Sequence, residues 1–193
     1  MATAQVSRSD SVLAALRAAT TAAHAELDSK LALHEDSLTH DRYRLFLRAS
    51  MAVVAPLEAR IACWLGLSSD GFCRTTALRA DLAALDASDT GTAPVPSIHS
   101  LAEAMGAAYV VEGSALRAVV LSKTVARTLG DDVPRRYLSL RGDQTGVRWR
   151  EFIMTLEQWG THAPPHAHVI ACESARATFA AYASAFAAVG ALV

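Results

Sequence analysis

Cysteine is scarce in this chain. The three present, Cys63, Cys73 and Cys172, are odd in number, widely spaced and outside any CxxC pair or zinc-ligand spacing, so neither a disulfide framework nor a structural zinc site is expected and the thiols read as reduced. Excess charge of either sign is also lacking: 18 Lys and Arg against 19 Asp and Glu leave a formal net charge of −1, which gives no global drive toward nucleic acid or an anionic membrane. Neither class of partner is expected. The opening MATAQVSRSD has no apolar core of the length a secretory signal needs, and its Arg and Asp come too early, so the expected location is the cytoplasm. The most apolar stretch, 178–193, is Ala-rich, follows Arg176 and is shorter than the roughly 20 residues that span a bilayer, which makes it a packed terminal helix.

Several chemical signatures are missing as well. No GxGxxG follows a strand, so no flavin or nicotinamide site is indicated, and no Gly-x-Ser-x-Gly elbow surrounds Ser122 or Ser139, which leaves a hydrolase without support. Glu26, Asp28, Glu35 and Asp36 lack the Glu-x-x-His pairs of a di-iron bundle and read as a solvated face. His162, His166 and His168 crowd around Pro164 and Pro165, but their spacing matches no metal-ligand pattern, and Pro165 suits the first turn of a helix.

What the chain does carry is helical periodicity, with almost no run that alternates like a half-buried strand. Leu13, Leu16, Thr20, His24, Leu27 and Leu31 form one stripe of an amphipathic helix that begins near the caps Ser9, Asp10 and Ser11. Thr39 and His40 precede a second stripe from Tyr43 to Trp64, with Pro56 as a candidate kink and Gly66 as its stop. A short third helix covers Arg74 to Leu85, and 86–96 is a turn-rich surface loop. Ser97 opens a long apolar pattern from Ile98 to Leu129, ended by Gly130 and Asp131. After a connection over 131–147, Arg148 to Trp159 and Pro165 to Val189 supply the last two helices. With no linker, repeat or sustained heptad, 193 residues that are 52% hydrophobic predict an all-α fold, a compact single-domain multi-helix bundle over 1–193 with residues 1–8 disordered.

Periodicity alone does not say what such a bundle does. His24 on its stripe is either a hydrogen-bonded core histidine or a metal ligand. The segment LRAATTAAHAELDS, residues 16–29, resembles the N-terminal signature of bacterial haem oxygenases, in which a leucine, a basic residue and a histidine share one helical face. ALRADLAALDA, with Arg79 and Asp81 between leucines, is similar to that family's third helix; YVVEGSALRAVVL resembles its distal helix, and WREFIMTLEQW its late helix. These four segments occur in the family's order over nearly the whole chain. The resemblance implies a haem oxygenase-like bundle, with His24 as the ligand to haem iron and Arg150 facing a haem propionate. Arg17 lies seven residues before His24 on the same face, about 10 Å along the axis, which suits a second propionate contact. Arg148 rivals Arg150, and for both Arg17 and Arg150 an ordinary solvated helix face is the alternative.

On the distal helix the resemblance makes Gly113 and Ser114 the candidate catalytic positions, Ser114 standing where some family members have an aspartate that organises distal water. The family's two adjacent glycines a turn later are replaced here by Arg117 and Ala118. Either the helix turns Arg117 toward a propionate or solvent, or the oxygen site is altered. The implied activity is oxidative cleavage of haem, both cofactor and substrate, to biliverdin, CO and ferrous iron, using O2 and electrons from a separate reductase. A biliverdin-accepting phytochrome is a further implied partner. The alternative is a non-degrading haem-binding or sensor protein on the same fold.

Overall fold

The computed structural model describes residues 11–31, 33, 35–66, 74–88 and 91–192. Residues 1–8, expected to be disordered, the candidate caps Ser9 and Asp10, and Cys73 lie outside the described residues. Among the described residues there are six α-helices: α1 (Val12–Lys30), α2 (His40–Leu65), α3 (Arg74–Ala84), α4 (Leu101–Leu129), α5 (Thr145–His162) and α6 (Pro165–Ala188). Among the described residues no strand forms beyond one isolated bridge between Leu31 and Leu192.

Most helix ends are set by local chemistry. Ser11 Oγ accepts the Ala14 N–H at 3.1 Å and Thr39 Oγ1 the Arg42 N–H at 3.2 Å, each satisfying a first-turn donor that has no partner inside its helix. Gly66 closes α2 at φ +61°, a left-handed position that a side chain would strain, and its N–H returns to the Ala62 carbonyl. α2 runs unbroken through Pro56. The proline has no N–H to give Ala52 O, and that carbonyl is taken instead by the Ala93 N–H at 3.0 Å, from the loop before α4.

Three boundaries differ from the sequence expectation by three residues, the first being the end of α5, which runs past Trp159 to His162, where the Ala163 N–H returns to the Trp159 carbonyl. α4 starts at Leu101, not Ile98, because Ser100 and Glu103 form a capping box: Ser100 Oγ accepts the Glu103 N–H, and Glu103 Oε2 accepts the His99 N–H at 2.6 Å. α5 starts at Thr145, not Arg148, because the 3-10 turn Gly142–Gln144 winds directly into it, with Thr145 Oγ1 donating to the Gly142 carbonyl at 2.9 Å.

Packing is close enough in two places that only glycine fits. A Cβ on Gly106 would stand 2.0 Å from the Ala171 carbonyl oxygen, which fixes the contact of α4 on α6. One on Gly160 would meet Val12 Cγ1 at 2.6 Å where α5 crosses the start of α1. α2 packs on α3, α4 and α6, and α1 on α6 and α5, around a core that includes Leu16, Tyr43, Leu47, Leu57, Ile61 and Leu156. α6 carries the Ala-rich stretch of the sequence into this core through Phe179, Tyr182, Ala185 and Phe186.

α4 is long and apolar enough to cross a membrane by length and composition. In this fold the buried residues of α4, which run from Ala102 to Glu112 and include Val125, pack in the bundle, while residues between Tyr109 and Leu121 line a cavity. The three histidines near Pro164 do not converge: His162 Nδ1 contacts the Gln158 carbonyl and His168 Nε2 the Gly160 carbonyl, both at 2.9 Å. No cluster of three metal-ligating side chains occurs among the described residues.

A charged group is buried behind α4. Arg74, at the start of α3, pairs with Glu112 through both guanidinium nitrogens at 3.1 Å, and Arg141 approaches Glu112 at 3.4 Å. Glu58 of α2 accepts the Arg74 and Thr75 N–H groups at 2.8 and 3.0 Å and so caps α3 from a neighbouring helix. Burial alone would lower the Arg74 pKa, but the Glu112 carboxylate more than offsets this and leaves it above the ordinary value.

Candidate functional site

A cavity of about 500 Å³ opens between α1 and α4, over α6. That size is within the range of small-molecule and cofactor sites. Its α1 wall is the stripe Thr20, His24, Leu27, Asp28 and Leu31, whose steps of three and four residues put these side chains on one face. The facing wall is α4 from Tyr109 to Leu121. Leu116 and Val120 remain 40% and 67% exposed there, an apolar face with nothing packed on it. Gly113 lies in the same wall opposite Trp149 of α5, where an added Cβ would rest at an ordinary 3.5 Å. Close helix packing therefore does not demand this glycine; what it leaves is open backbone facing the cavity.

His24 stands at the open edge with its ring edge-on to Phe179, centroids 5.7 Å apart. Its Nδ1 lies 3.0 Å from Asp28 Oδ2, one turn further along α1. A carboxylate on one ring nitrogen fixes the tautomer and leaves Nε2 with its lone pair, the arrangement of a metal-ligating imidazole. The same Asp28 oxygen receives Arg117 Nη1 at 2.7 Å, so the imidazole, carboxylate and guanidinium form a chain from α1 to α4. Arg117 thus turns toward the opening, with its side chain 60% exposed, and its head pairs with Asp28.

The inner end of the cavity is aromatic and partly polar. Phe46, Tyr137, Tyr182 and Phe186 meet there, with Phe46 and Phe186 stacked at 5.6 Å. Tyr137 comes from the connection after α4 and is held by α3, whose fully buried Asp81 accepts the Arg136 and Tyr137 N–H groups at 3.0 and 2.8 Å. Tyr43 adds a bond from its hydroxyl to the Pro134 carbonyl. Ser50 and Ser114 line the cavity beside the Tyr137 phenol. Ser114 donates its own proton back to the Val111 carbonyl at 2.8 Å, so the hydroxyl expected to serve distal water is already committed to its helix. Tyr182 Oη is buried and no protein group takes up its donor capacity among the described residues.

Burial pushes Tyr43, Tyr137 and Tyr182 above the ordinary phenol value of 10.0, so all three remain proton donors across the neutral range. Because each favours the protonated form in the fold, the folded state loses stability once pH rises past the unfolded phenol value. Tyrosinate absorbance should then show these three ionising together with alkaline unfolding; a separate titration of Tyr137 or Tyr182 with the fold intact would contradict their enclosure.

The candidate residues are not all gathered here. His24, Gly113, Ser114 and Arg117 line the cavity; Arg17 and Arg150 do not. The α1 wall begins at Thr20 and runs toward the C-terminal end of the helix, whereas Arg17 is exposed on the turn before it. On α5 it is Trp149 that faces the cavity; Arg150, turned about 100° around the helix, is exposed. Arg148 is exposed too and pairs with Glu151 at 3.4 Å. Asp28, Tyr137, Phe179 and Tyr182 are the additions of the structure, and only Asp28 carries a local sequence signal, its four-residue spacing from His24.

An apolar cleft of this shape with one oriented imidazole in a wall of α-helices defines a class of small-molecule pocket found in all-α bundles. The Heme oxygenase family model matches residues 10–188, and the chain belongs to the haem oxygenase family. The fold is similar to the solved structure of NO- and CO-bound heme oxygenase from Neisseria meningitidis, with a TM-score of 0.74 at 22% identity, covering 95% of this chain and 94% of that one. No curated protein matches the sequence.

Proposed function

We propose that the protein binds haem in the α1–α4 cleft with His24 Nε2 as the iron ligand, and cleaves it to biliverdin, CO and ferrous iron. The observation that carries this reading is the pairing of His24 Nδ1 with Asp28 in the wall of a 500 Å³ apolar cavity, opposite the uncovered face of α4. The residues fit the group: a flat apolar ring is matched by Leu27, Leu116, Val120 and Phe179, and the donor set offers one imidazole nitrogen.

Bound haem supplies the iron and the oxygen chemistry. The chain's own part is to hold and shield it. Asp28 orients the imidazole, and Leu116 and Val120 exclude water from the α4 side once covered. Gly113 leaves its backbone open to the cavity, and Tyr137, raised in pKa by burial, keeps a protonated phenol at the inner end. Electrons come from a separate reductase in the same cytoplasmic compartment, and a phytochrome is a fitting acceptor for the product. The acidic tails of the ring are assigned to Arg117, not to Arg17 or Arg150, because Arg117 alone of the three lines the cavity.

Arg117 in place of a glycine, together with the back-bonded Ser114, favours a second reading in which haem is held and not degraded. One experiment decides. Haemin added to the purified protein is expected to give a Soret band, and a chemical reductant in air should convert it to a biliverdin spectrum. A band that persists under reductant and air makes the protein a binder; no specific band removes haem from its function.

A further inference from the structure

Arg117 is the only Lys or Arg side chain in the cavity wall among the described residues, and it stands on α4 while its partner Asp28 stands on α1. α1 packs mainly on α5 and α6, and α4 on α2, α5 and α6, so the Arg117–Asp28 contact crosses an opening between two helices and does not lie along a packed seam. The side chains beside it, His24, Leu116 and Val120, are the exposed members of the wall, which puts the pair at the entrance. A ligand lying between His24 and α4 must pass this bridge.

The bridge is easily opened. A solvent-screened ion pair contributes little to stability, and the Arg117 side chain is 60% exposed. When the guanidinium leaves, Asp28 keeps His24 at 3.0 Å and is not stranded as a lone buried charge. The departing guanidinium is free to meet another carboxylate, which its planar fork matches with two parallel hydrogen bonds.

We infer that Arg117 exchanges carboxylates: it holds Asp28 across the cavity mouth before the ligand enters, then transfers to an acidic side chain at the edge of the bound tetrapyrrole. This rests on the haem reading above and deepens it, because it makes Arg117 the residue that selects porphyrins with charged edges over neutral ones. The exchange also accounts for an arginine at a glycine position, since the head is drawn to the rim and away from the centre of the ring.

The test compares equilibrium binding of haemin with that of its dimethyl ester, in which the acidic groups are neutral, for the native protein, Arg117→Ala and Asp28→Asn. The ratio of the two affinities cancels what ring burial and His24 contribute. Native protein is expected to prefer haemin by about tenfold, the scale of one charge-assisted hydrogen bond. Arg117→Ala should bring the ratio close to one by weakening haemin and sparing the ester, while Asp28→Asn should keep or raise it, because the competing carboxylate is gone. Equal losses on both porphyrins in Arg117→Ala would overturn the exchange, as would an unchanged ratio. A collapse of the ratio in Asp28→Asn would also overturn it, since Arg117 would then need Asp28 in place to act. If the native protein binds neither porphyrin, the haem reading fails and takes the exchange with it, an outcome distinct from native binding without discrimination.

Discussion

Glu112→Ala is expected to lower stability by about 3–5 kcal/mol, the cost of removing one partner from a buried ion pair. Arg74 and Glu112 have side chains only 3% and 7% exposed, and the carboxylate meets the guanidinium through two contacts at 3.1 Å. Removing the carboxylate leaves the Arg74 cation enclosed without the partner that offsets its desolvation, so the remaining choices are an uncompensated cation or local opening of α3. For a domain of this size the loss corresponds to a fall in Tm of roughly 10 °C, measurable by thermal or urea unfolding. Glu112→Gln should cost less, since an amide oxygen still accepts from the guanidinium. A double change of Arg74→Met with Glu112→Leu should recover much of the loss, because neither charge then has to be desolvated. An Ala variant within 1 kcal/mol of native would show that the pair does not hold α3 on α4. The effect reaches the cavity as well: Glu112 precedes Gly113 and Ser114 in α4, and a small cleft between Ser114, Tyr137, Arg74 and Arg141 lies directly behind that wall. Ligand affinity should therefore fall in Glu112→Ala even at temperatures where the fold survives.

Much of the fold is legible in the sequence because helix ends are chemical events confined to a few residues. Ser11, Thr39, Gly66, Gly130 and Pro165 each close or open a helix where composition predicts. The start of α4 is missed by three residues because Ser97 and Ser100 are equal as caps until Glu103 is counted, and the Ser-x-x-Glu spacing was the available signal. The start of α5 is hidden because the helix there is wound from a 3-10 turn over glycine and aspartate, which carries no apolar period. Within the site, the residues legible in the sequence lie in two contiguous segments, around His24 and around Gly113. The inner end is illegible for a physical reason: Phe46, Tyr137, Tyr182 and Phe186 come from three separate parts of the chain, and each by itself has only the periodicity of an ordinary core aromatic. Arg17 illustrates the converse limit. Helical spacing gives the face on which a side chain lies, but not how far along that face the cavity extends, and here the cavity starts one turn later.

His24→Ala should have the largest effect on ligand chemistry. No other histidine lines the cavity among the described residues. With the imidazole gone, the iron of bound haem has no nitrogen ligand in the wall, so the complex should change its spin state and coordination spectrum. Affinity should fall by at least the 10- to 100-fold that loss of an outer-shell partner alone produces at metal sites. Turnover to biliverdin should be lost with it. The position also permits a rescue, because His24 is about half exposed and sits at the open edge of a 500 Å³ cavity, so its removal leaves a path and a space for added imidazole. Free imidazole is expected to restore a native-like spectrum, in a concentration-dependent way, in His24→Ala and to do nothing comparable in a variant of His168, whose ring is held against the Gly160 carbonyl and Trp159 away from the cavity. Recovery of the spectrum without recovery of turnover would separate two contributions of the side chain. The nitrogen itself can be supplied from solution, whereas the orientation set by Asp28 one turn along α1 requires the covalent link to the helix. An unchanged spectrum and affinity in His24→Ala would remove this residue as the ligand and leave its contact with Asp28 as an ordinary helix-surface pair.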